Sequence, residues 1–559
     1  MEMPSAEGST SGVATPSSME DDTLQIHMEL LRTQDYFDDE VDEVAMTPIF
    51  SQSVRRQVLS TLKDRKKGQE AFSQFGLLAG NIHVPGHAPL ADDKSSMQLD
   101  PRIFYNVSVP SSVFICGSQG SGKSHTLSCL LENCLIPSKV AVLPRPLTGL
   151  LFHYDSFVSD TGGLPCEAAF LSSSGCVKVK VLCPPTNIRQ IKKIYARLPN
   201  VTVEELRINQ SDLNTKRMLD LMAVSSIQGN GMPLYMHVVT RILRDLRLLQ
   251  QQTGAKFDYG AFKRHLENEN LSEGQRVPLL QRLDTLESFM VKRQPEPSVA
   301  SKEGKNKKGK AKKSGSVGSY VDNGNDWAPV SGQLTIVDLS CPCVTSEMAC
   351  ALFNICLSLF LEQDTAIGRV VALDEAHKYL TSGAECQTLT ESLLTAIRVQ
   401  RHIGARIIIS TQEPTVSPRL LDLCSVTIVH RFSSPAWLQT LRKHLVGVSS
   451  CENEEQSHLS VAHAVRGRNG DRIENMTPAE STFTEDLLSR IVQLRRGEAL
   501  MFAPGGIVDT NEFSSTAREG TQLVKGHPTA LPFHLGKRLL KVRVRQRVTA
   551  DGGRSILAT

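Results

Sequence analysis

A glycine-rich octapeptide, GSQGSGKS at residues 117–124, contains the residue types that bind the phosphates of a nucleotide. It fits the pattern G-x-x-x-x-G-K-[ST], and it stands between a β-rich run and a helical pattern. The glycines let backbone N–H groups approach a β-phosphate, and the amino end of the following helix adds a positive dipole end. Lys123 is predicted to reach the β- and γ-phosphates, and the Ser124 hydroxyl is predicted to ligate Mg²⁺. The predicted nucleotide-binding residues are Gly117, Ser118, Gln119, Gly120, Ser121, Gly122, Lys123, Ser124 and His125.

A second motif, RVVALDEAHKYL at residues 369–380, is an apolar run followed by two carboxylates. A strand here would bring Asp374 and Glu375 to its carboxyl end, where ligands lie in an open α/β sheet. Asp374 is predicted to hold Mg²⁺ through water, and Glu375 is predicted to be the catalytic base that polarises the attacking water. Alone this is a weak signal, but together with a P-loop it is strong.

A third motif is the apolar strand predicted at 405–414, which carries Thr411 and Gln412 towards its end. A side-chain amide at the tip of a neighbouring core strand can contact the γ-phosphate or the water that attacks it. Gln412 is therefore a candidate catalytic sensor, and the alternative is a strand-end residue that caps a turn.

Arginines also lie close to the third motif. Arg398 and Arg401 are three residues apart on a helix predicted at 391–404, so they are expected to share a face. An arginine that reaches a neighbouring subunit's γ-phosphate would stabilise charge in the transition state. Surface salt bridges are the alternative for both.

Three segments, GSQGSGKS, VVALDEAHKYL and ARIIISTQEPTVSPRLLDLCSVTIVHRF, together resemble the HerA/FtsK superfamily of P-loop ATPases. GQLTIVDLS and LRRGEALMFAP are similar to two further strands of HerA-like ATPases. The resemblance covers roughly residues 105–505, and the region 200–325 matches poorly. It implies a RecA-like α/β core, a hexameric ring, and ATP and Mg²⁺ as cofactors, with DNA or peptides moved through a central pore. It assigns Gln412 as the sensor, Arg401 as the arginine used across the subunit interface, and Asp374 with Glu375 as the Walker B pair. The N-terminal β-barrel that is common in HerA is not evident.

Alternation of strand and helix patterns along the chain predicts an α/β fold with a mainly parallel sheet covered by helices. The predicted strands are 107–116, 149–157, 177–185, 332–340, 368–377, 405–414, 425–432 and 498–504. The predicted domain boundaries are a disordered acidic tail (1–45), a lead-in (46–104), the ATPase core (105–505) with a helical insertion (200–295) and a Lys-rich linker (296–326), and a basic extension (506–559). Helical spacing is expected to begin near Val203 and to run to about residue 292.

Composition limits the function classes. With 62 basic and 59 acidic residues the net charge is +3, which excludes a uniformly basic nucleic-acid binder but not a local basic channel. No long apolar run or secretory signal pattern is found, and the thirteen cysteines are scattered, so an intracellular protein with reduced thiols is expected, nuclear or cytoplasmic. Cys341 and Cys343 form a C-x-C pair that is a weak zinc signal.

Two charged segments can each be interpreted in two ways. The acidic tail is either solubilising or a contact for a protein partner. The stripe KRLLKVRVRQR at 537–547 is either a set of phosphate contacts or an exposed edge strand protected by charge.

Three functions fit these observations. The first is a ring-forming ATPase motor, a homo-oligomer that acts on DNA or another polymer. The second is a nucleotide-dependent switch or scaffold that regulates a protein partner. The third, a small-molecule phosphotransferase, would leave the strand that ends in Gln412 unexplained.

Overall fold

The computed structural model describes residues 44–61, 72–82, 100–156, 163–222, 234–291, 324–364, 366–381, 383–445, 487–511, 531–536 and 538–552. Nearly all of the predicted acidic tail, and the Lys-rich run at 302–313, lie outside the described residues.

The described strands form one large sheet. They are β1 (Ile49–Ser51), β2 (Phe75–Asn81), β3 (Arg102–Asn106), β4 (Ser112–Cys116), β5 (Ala141–Val142), β6 (Thr148–His153), β7 (Lys178–Cys183), β8 (Val201–Glu205), β9 (Gln333–Asp338), β10 (Arg369–Leu373), β11 (Ala405–Thr411), β12 (Val426–Val429), β13 (Glu498–Phe502), β14 (Ile507–Asn511), β15 (Leu531–His534) and β16 (Leu540–Val544).

The described α-helices cover this sheet and form the insertion. They are α1 (Gln52–Thr61), α2 (Lys123–Leu135), α3 (Ile188–Tyr195), α4 (Thr215–Met222), α5 (Leu234–Thr253), α6 (Tyr259–Glu267), α7 (Glu273–Phe289), α8 (Ser346–Leu361), α9 (Ala384–Arg398), α10 (Gln400–Ile403), α11 (Pro418–Leu423) and α12 (Pro435–Leu445).

Eight parallel strands make up the centre of the sheet, in the order β12-β4-β11-β10-β6-β9-β7-β8. The strand before the P-loop, β4, and the strand before the two acids, β10, are thus separated by β11 alone. This is a RecA-like core, so the predicted α/β fold with a mainly parallel sheet is confirmed.

Alternation along β4 shows how the sheet is buried on both faces. Val113 and Ile115 pack on one face in the apolar cluster that contains Leu127 of α2. Phe114 points to the other face, where its ring centroid lies 6.4 Å from that of Trp437 in α12. Strands buried on both sides read as nearly continuous apolar runs, which is why these patterns could be recognised in the sequence.

Buried Arg369 fixes the start of β10 against the ends of two helices. Its guanidinium donates to the carbonyl oxygens of Leu361 (3.1 Å), Ile403 (3.4 Å) and Asp364 (2.5 Å). Carbonyls at helix carboxyl ends lack partners within the helix, so a cation there satisfies them. The strand that leads to Asp374 is therefore anchored at its far end.

The antiparallel part of the sheet joins both ends of the chain. β13 pairs with β12 and β16, β16 pairs with β2, and β2 and β1 pair with β3. Aromatic side chains fill this part, with the rings of Phe50, Phe72, Phe75 and Phe104 in contact. The sequence patterns did not reveal β1, β2 and β3.

The basic stripe near the carboxyl end is not an exposed edge. β16 lies between β13 and β2, and its Val542 and Val544 are buried. The edge-strand interpretation is therefore wrong. The alternating apolar residues that suggested a strand pack into the core, so the strand needs neighbours on both sides.

The structure differs from the sequence prediction in two helical regions. The predicted helical region begins instead with β8, which pairs in parallel with β7, because the β-branched run Val201, Thr202, Val203 suits a strand. The helix predicted at 391–404 is interrupted at Val399, whose φ of −102° and ψ of 11° separate α9 from α10. The helices α4 to α7 follow β8 and pack on the face of the sheet that α8 and α9 cover.

None of the described helices combines the length and the apolar composition that a membrane crossing requires.

Candidate nucleotide site

The predicted catalytic motifs meet at one edge of the sheet. Cys116, the last residue of β4, is in register with Thr411, the last residue of β11. Leu373, the last residue of β10, is in register with Ile409 of the same strand. Because parallel strands end at the same edge, the P-loop, Asp374, Glu375 and Gln412 lie next to one another.

Positive φ angles shape the P-loop. Gly117, Gly120 and Gly122 have φ values of +151°, +72° and +118°. A Cβ at Gly117 would lie 2.7 Å from the Cβ of His430 and 2.8 Å from Ser121 Oγ. Glycine is required there both by conformation and by contact. The loop therefore packs against the end of β12, where the backbone N–H of Ser118 donates to the carbonyl oxygen of Arg431 at 2.9 Å.

Lys123 is the first residue of α2, and its side chain is only 3% exposed. Its Nζ donates to the carbonyl oxygen of Ser118 at 3.2 Å and lies 4.0 Å from Oε1 of Glu375. A buried ammonium group is stabilised by anions and carbonyl oxygens. The residue predicted to hold phosphate and the residue predicted to be the base are therefore side by side, although 252 positions separate them in the sequence.

Glu375 has an unusual backbone conformation for a residue other than glycine, with a φ of 46° and a ψ of 48°. This left-handed conformation costs about 1–3 kcal/mol and persists where surrounding structure holds it. Burial, with the neighbouring charge of Asp374, raises the pKa of Glu375, while Lys123 opposes the rise. A carboxyl group with a raised pKa is suited to accept a proton near neutral pH.

His377 lies between Glu375 and Gln412. Its Nδ1 lies 3.4 Å from Glu375 Oε2 and accepts a hydrogen bond from the backbone N–H of Gln412 at 3.3 Å. Burial lowers the pKa of His377, which favours the neutral ring that can accept this hydrogen bond. The carbonyl oxygen of Gln412 in turn accepts from the indole N–H of Trp437 at 2.7 Å. The backbone of Gln412 is thus hydrogen-bonded to His377, which lies beside Glu375, and to Trp437 of α12.

His430 is a residue of the site that sequence reasoning did not identify. It is buried after β12, its Nε2 lies 2.8 Å from Thr126 Oγ1 in α2, and its Nδ1 lies 3.0 Å from the carbonyl oxygen of Glu498. Burial lowers its pKa to about 4, so the ring is neutral at ordinary pH. The polar end of the strand pattern SVTIVHRF is the one signal that marks it.

The residues predicted to hold Mg²⁺ suit that ion. Asp374 is 4% exposed, and its Oδ1 has no hydrogen-bond partner among the described residues. Ser124, half-buried in the first turn of α2, presents a hydroxyl group. Mg²⁺ takes oxygen ligands, commonly from few protein groups together with phosphates. The donor set therefore fits the ion.

The two arginines do not join the site of their own chain. Arg398 ends α9 and Arg401 lies in α10, and both are exposed. Both precede β11, whereas Gln412 follows it, and a strand of seven residues spans about 23 Å. Arg401 is therefore at the opposite edge of the sheet, and a role across a subunit interface stays a prediction.

The carboxyl-terminal segment binds the helix that carries Lys123. Glu132 of α2 is 1% exposed and accepts hydrogen bonds from Arg545 Nη1 (2.6 Å), Thr549 N (3.0 Å) and Val548 N (3.2 Å). His125 Nε2 lies 2.8 Å from the carbonyl oxygen of Arg545. Buried Arg547 pairs with Glu167 at 2.9 Å. Arg545 and Arg547 thus hold protein carboxylates, contrary to the phosphate-contact interpretation of the stripe.

No family model matches the chain, and no curated protein matches it. Among solved structures it is similar to VirB4 of Thermoanaerobacter pseudethanolicus, with 12% identity, a TM-score of 0.46, and coverage of 85% of this chain and 97% of that one. It is also similar to the genome packaging NTPase B204 from Sulfolobus turreted icosahedral virus 2 in complex with ATP-gammaS, with 13% identity, a TM-score of 0.19, and coverage of 31% and 62%. The pCW3 conjugation coupling protein TcpA with ATPgS has 10% identity, a TM-score of 0.20, and coverage of 71% and 76%. The likeness of this chain to HerA/FtsK-type P-loop ATPases rests on its three sequence motifs.

Proposed function

We propose that this chain is a Mg²⁺-dependent ATPase that works as a ring-forming motor on DNA or another polymer. One observation carries the ATPase part of the proposal. Lys123 and Glu375 come from distant parts of the sequence, yet their charged atoms lie 4.0 Å apart, and Asp374 Oδ1 next to Glu375 has no hydrogen-bond partner among the described residues.

Each site residue has a role that follows from its position. The amides of the loop 117–122 and the ammonium group of Lys123 bind the phosphates. Ser124 and Asp374 hold Mg²⁺, which neutralises charge on the phosphates when it is bound. Glu375 takes the proton of the attacking water.

The hydrogen bonds that join His377, beside Glu375, to the backbone of Gln412 and Gln412 to Trp437 support a mechanical role. When the γ-phosphate leaves, a change at Gln412 alters the hydrogen bond to Trp437, and α12 receives the change. Motion that starts at the nucleotide would thus reach the surface of the core. Arg401 of a neighbouring subunit would supply a second positive charge at the γ-phosphate, in addition to that of Lys123.

Phosphate release from ATP tests the proposal, measured with and without duplex DNA at low salt. We expect hydrolysis that requires Mg²⁺, is stimulated by DNA, and is lost in Lys123→Ala. Glu375→Gln should retain ATP binding and lose at least a hundredfold in rate, because general-base catalysis contributes about 10²–10⁴-fold. Glu391→Gln, the same change at an exposed position, is the matched control.

The outcomes separate the two functions. Normal phosphate release by Glu375→Gln would refute the site. Hydrolysis that is indifferent to DNA would favour the nucleotide-dependent switch, and the search would turn to a protein partner. Mixing Arg401→Ala with Glu375→Gln tests the ring, because a trans arginine predicts partial recovery of activity in mixed assemblies.

A further inference from the structure

Three side chains capable of binding a metal converge beside Asp374. His153 ends β6, Cys166 precedes a short 3₁₀ turn at Glu167–Ser174, and Asp374 follows β10. One ligand atom from each lies within 4.8 Å of the others, and His153 Nδ1 is 3.6 Å from Asp374 Oδ2. The distance between nitrogen and oxygen is close to that between two ligands of one small cation.

Burial and missing partners mark this cluster as a built site. Cys166 is 1% exposed and Asp374 is 4% exposed. Within the described residues, Asp374 Oδ1 has no hydrogen-bond partner, and His153 Nδ1 makes no hydrogen bond but faces Asp374 Oδ2 at 3.6 Å. Each buried unsatisfied polar atom costs about 1–3 kcal/mol, and coordination of one cation would satisfy such atoms.

Hydrogen bonds to residues outside the cluster position Cys166. The backbone N–H of Cys166 donates to the hydroxyl oxygen of Tyr195 at 3.0 Å, and that hydroxyl donates to Asp338 Oδ2 at 2.7 Å. Asp338 ends β9 and is in register with His153. Outer groups of this kind orient metal ligands and tune their affinity.

We propose that His153, Cys166 and Asp374 bind Zn²⁺, and that Zn²⁺ bound there inhibits the ATPase by engaging the carboxylate of Asp374. Imidazole and thiolate ligands favour zinc, whereas Mg²⁺ prefers oxygen ligands. Three protein ligands leave a fourth position for water. The inhibitory part rests on the proposed function, since it requires that Asp374 holds Mg²⁺ during hydrolysis; the binding part does not.

Cobalt tests the binding part on the full chain, because Co²⁺ bound to a thiolate gives a charge-transfer band in the near ultraviolet. We expect one equivalent of Co²⁺ to produce this band and Zn²⁺ to displace it. The band should be lost in Cys166→Ser and in Cys166→Ala. It should persist in Cys176→Ser, where an exposed cysteine ten residues away is changed in the same manner.

Zinc titration of phosphate release tests inhibition, with each variant normalised to its own rate without zinc. Half-inhibition should require at least about ten times more Zn²⁺ in the Cys166 variants than in Cys176→Ser. A cobalt band that persists in a folded Cys166 variant, or that never forms in the unmodified chain, overturns the site. A lost band with unchanged zinc inhibition overturns the regulatory role. A chain that binds cobalt through Cys166 but hydrolyses no ATP would refute the proposed function and leave the metal site standing.

Discussion

Replacement of Glu132 by alanine should release the carboxyl-terminal segment from α2. The carboxylate is 1% exposed and accepts hydrogen bonds from Arg545, from the backbone of Val548, and from the backbone and hydroxyl group of Thr549. Alanine removes all these acceptors, and the buried donors of the segment lose their partner.

The free-energy cost of Glu132→Ala depends on which hydrogen-bond acceptors Arg545 and Arg547 keep in the variant. Removal of one partner of a buried ion pair typically costs about 3–5 kcal/mol. Arg545 keeps the carbonyl oxygens of Leu77 and Cys129 as acceptors, and Arg547 keeps Glu167. We therefore expect the lower end, about 3 kcal/mol, which corresponds to roughly a hundredfold change in an equilibrium constant.

Hydrogen exchange measured by mass spectrometry reports this equilibrium locally. Amides of residues 540–549 should lose about a hundredfold in protection, because that segment opens before the rest of the chain. Glu391→Ala is the control, since its pair with Arg419 is exposed on both sides and such pairs contribute about 0–1 kcal/mol. Glu132→Gln should fall between the two, because it keeps one acceptor and loses the charge.

Acid should produce the same release in the unmodified chain. Burial raises the pKa of Glu132, but the hydroxyl of Thr549 and the charge of Arg545 outweigh it, so the pKa lies below the ordinary 4.5. A lowered carboxyl pKa contributes stability that is present above the unfolded-state value and is lost as the pH falls through the folded-state value. Protection of residues 540–549 that is unchanged in Glu132→Ala, or equal to that of Glu391→Ala, would refute the reasoning.

The remaining predictions concern the P-loop and its neighbour. Gly117→Ala should weaken ATP binding at least tenfold, because the new Cβ would lie 2.7 Å from His430 Cβ at a φ of +151°; a fluorescent ATP analogue measures this. Gly254→Ala has a φ of +68° with no atom within 4 Å of the added Cβ, and equal losses of binding in both variants would contradict the crowding argument. Burial lowers the pKa of His430 from 6.5 to about 4, so the unfolded chain binds more protons in this range and stability should fall as the pH drops from 6.5 towards 4. Urea unfolding should show a smaller dependence on pH in this range for His430→Gln, and an identical slope would argue against a buried neutral histidine.

Local sequence was enough to find the three motifs that the fold brings to one edge of the sheet, and most of the central strands. A P-loop is contiguous, because one loop and one helix start provide the amides and the lysine that hold phosphate. Strands such as β10 and β11 are apolar along their whole length because helices cover both faces of the sheet, so their patterns stand out. Polar residues directly after such strands indicate the ligand-binding edge, which is how Asp374, Glu375 and Gln412 were predicted.

The sequence-based predictions were wrong where contacts with neighbouring strands or helices outweigh the local sequence pattern. The alternating stripe of β16 has the pattern of an edge strand, and only its pairing with β13 and β2 shows that it is interior. The interruption at Val399 separates Arg398 from Arg401, although the helical spacing continues through it.

The sequence by itself predicted the type of chemistry, because the P-loop and the two acids indicate it by residue type and spacing. Only the tertiary structure decided which side chains from distant parts of the sequence lie together at the site. The crowding of Gly117 by His430, the approach of Glu375 to Lys123 and the meeting of His153 with Cys166 and Asp374 each join segments from different strands. Such contacts depend on the order and register of strands in the sheet, and these follow from the packing of the whole core.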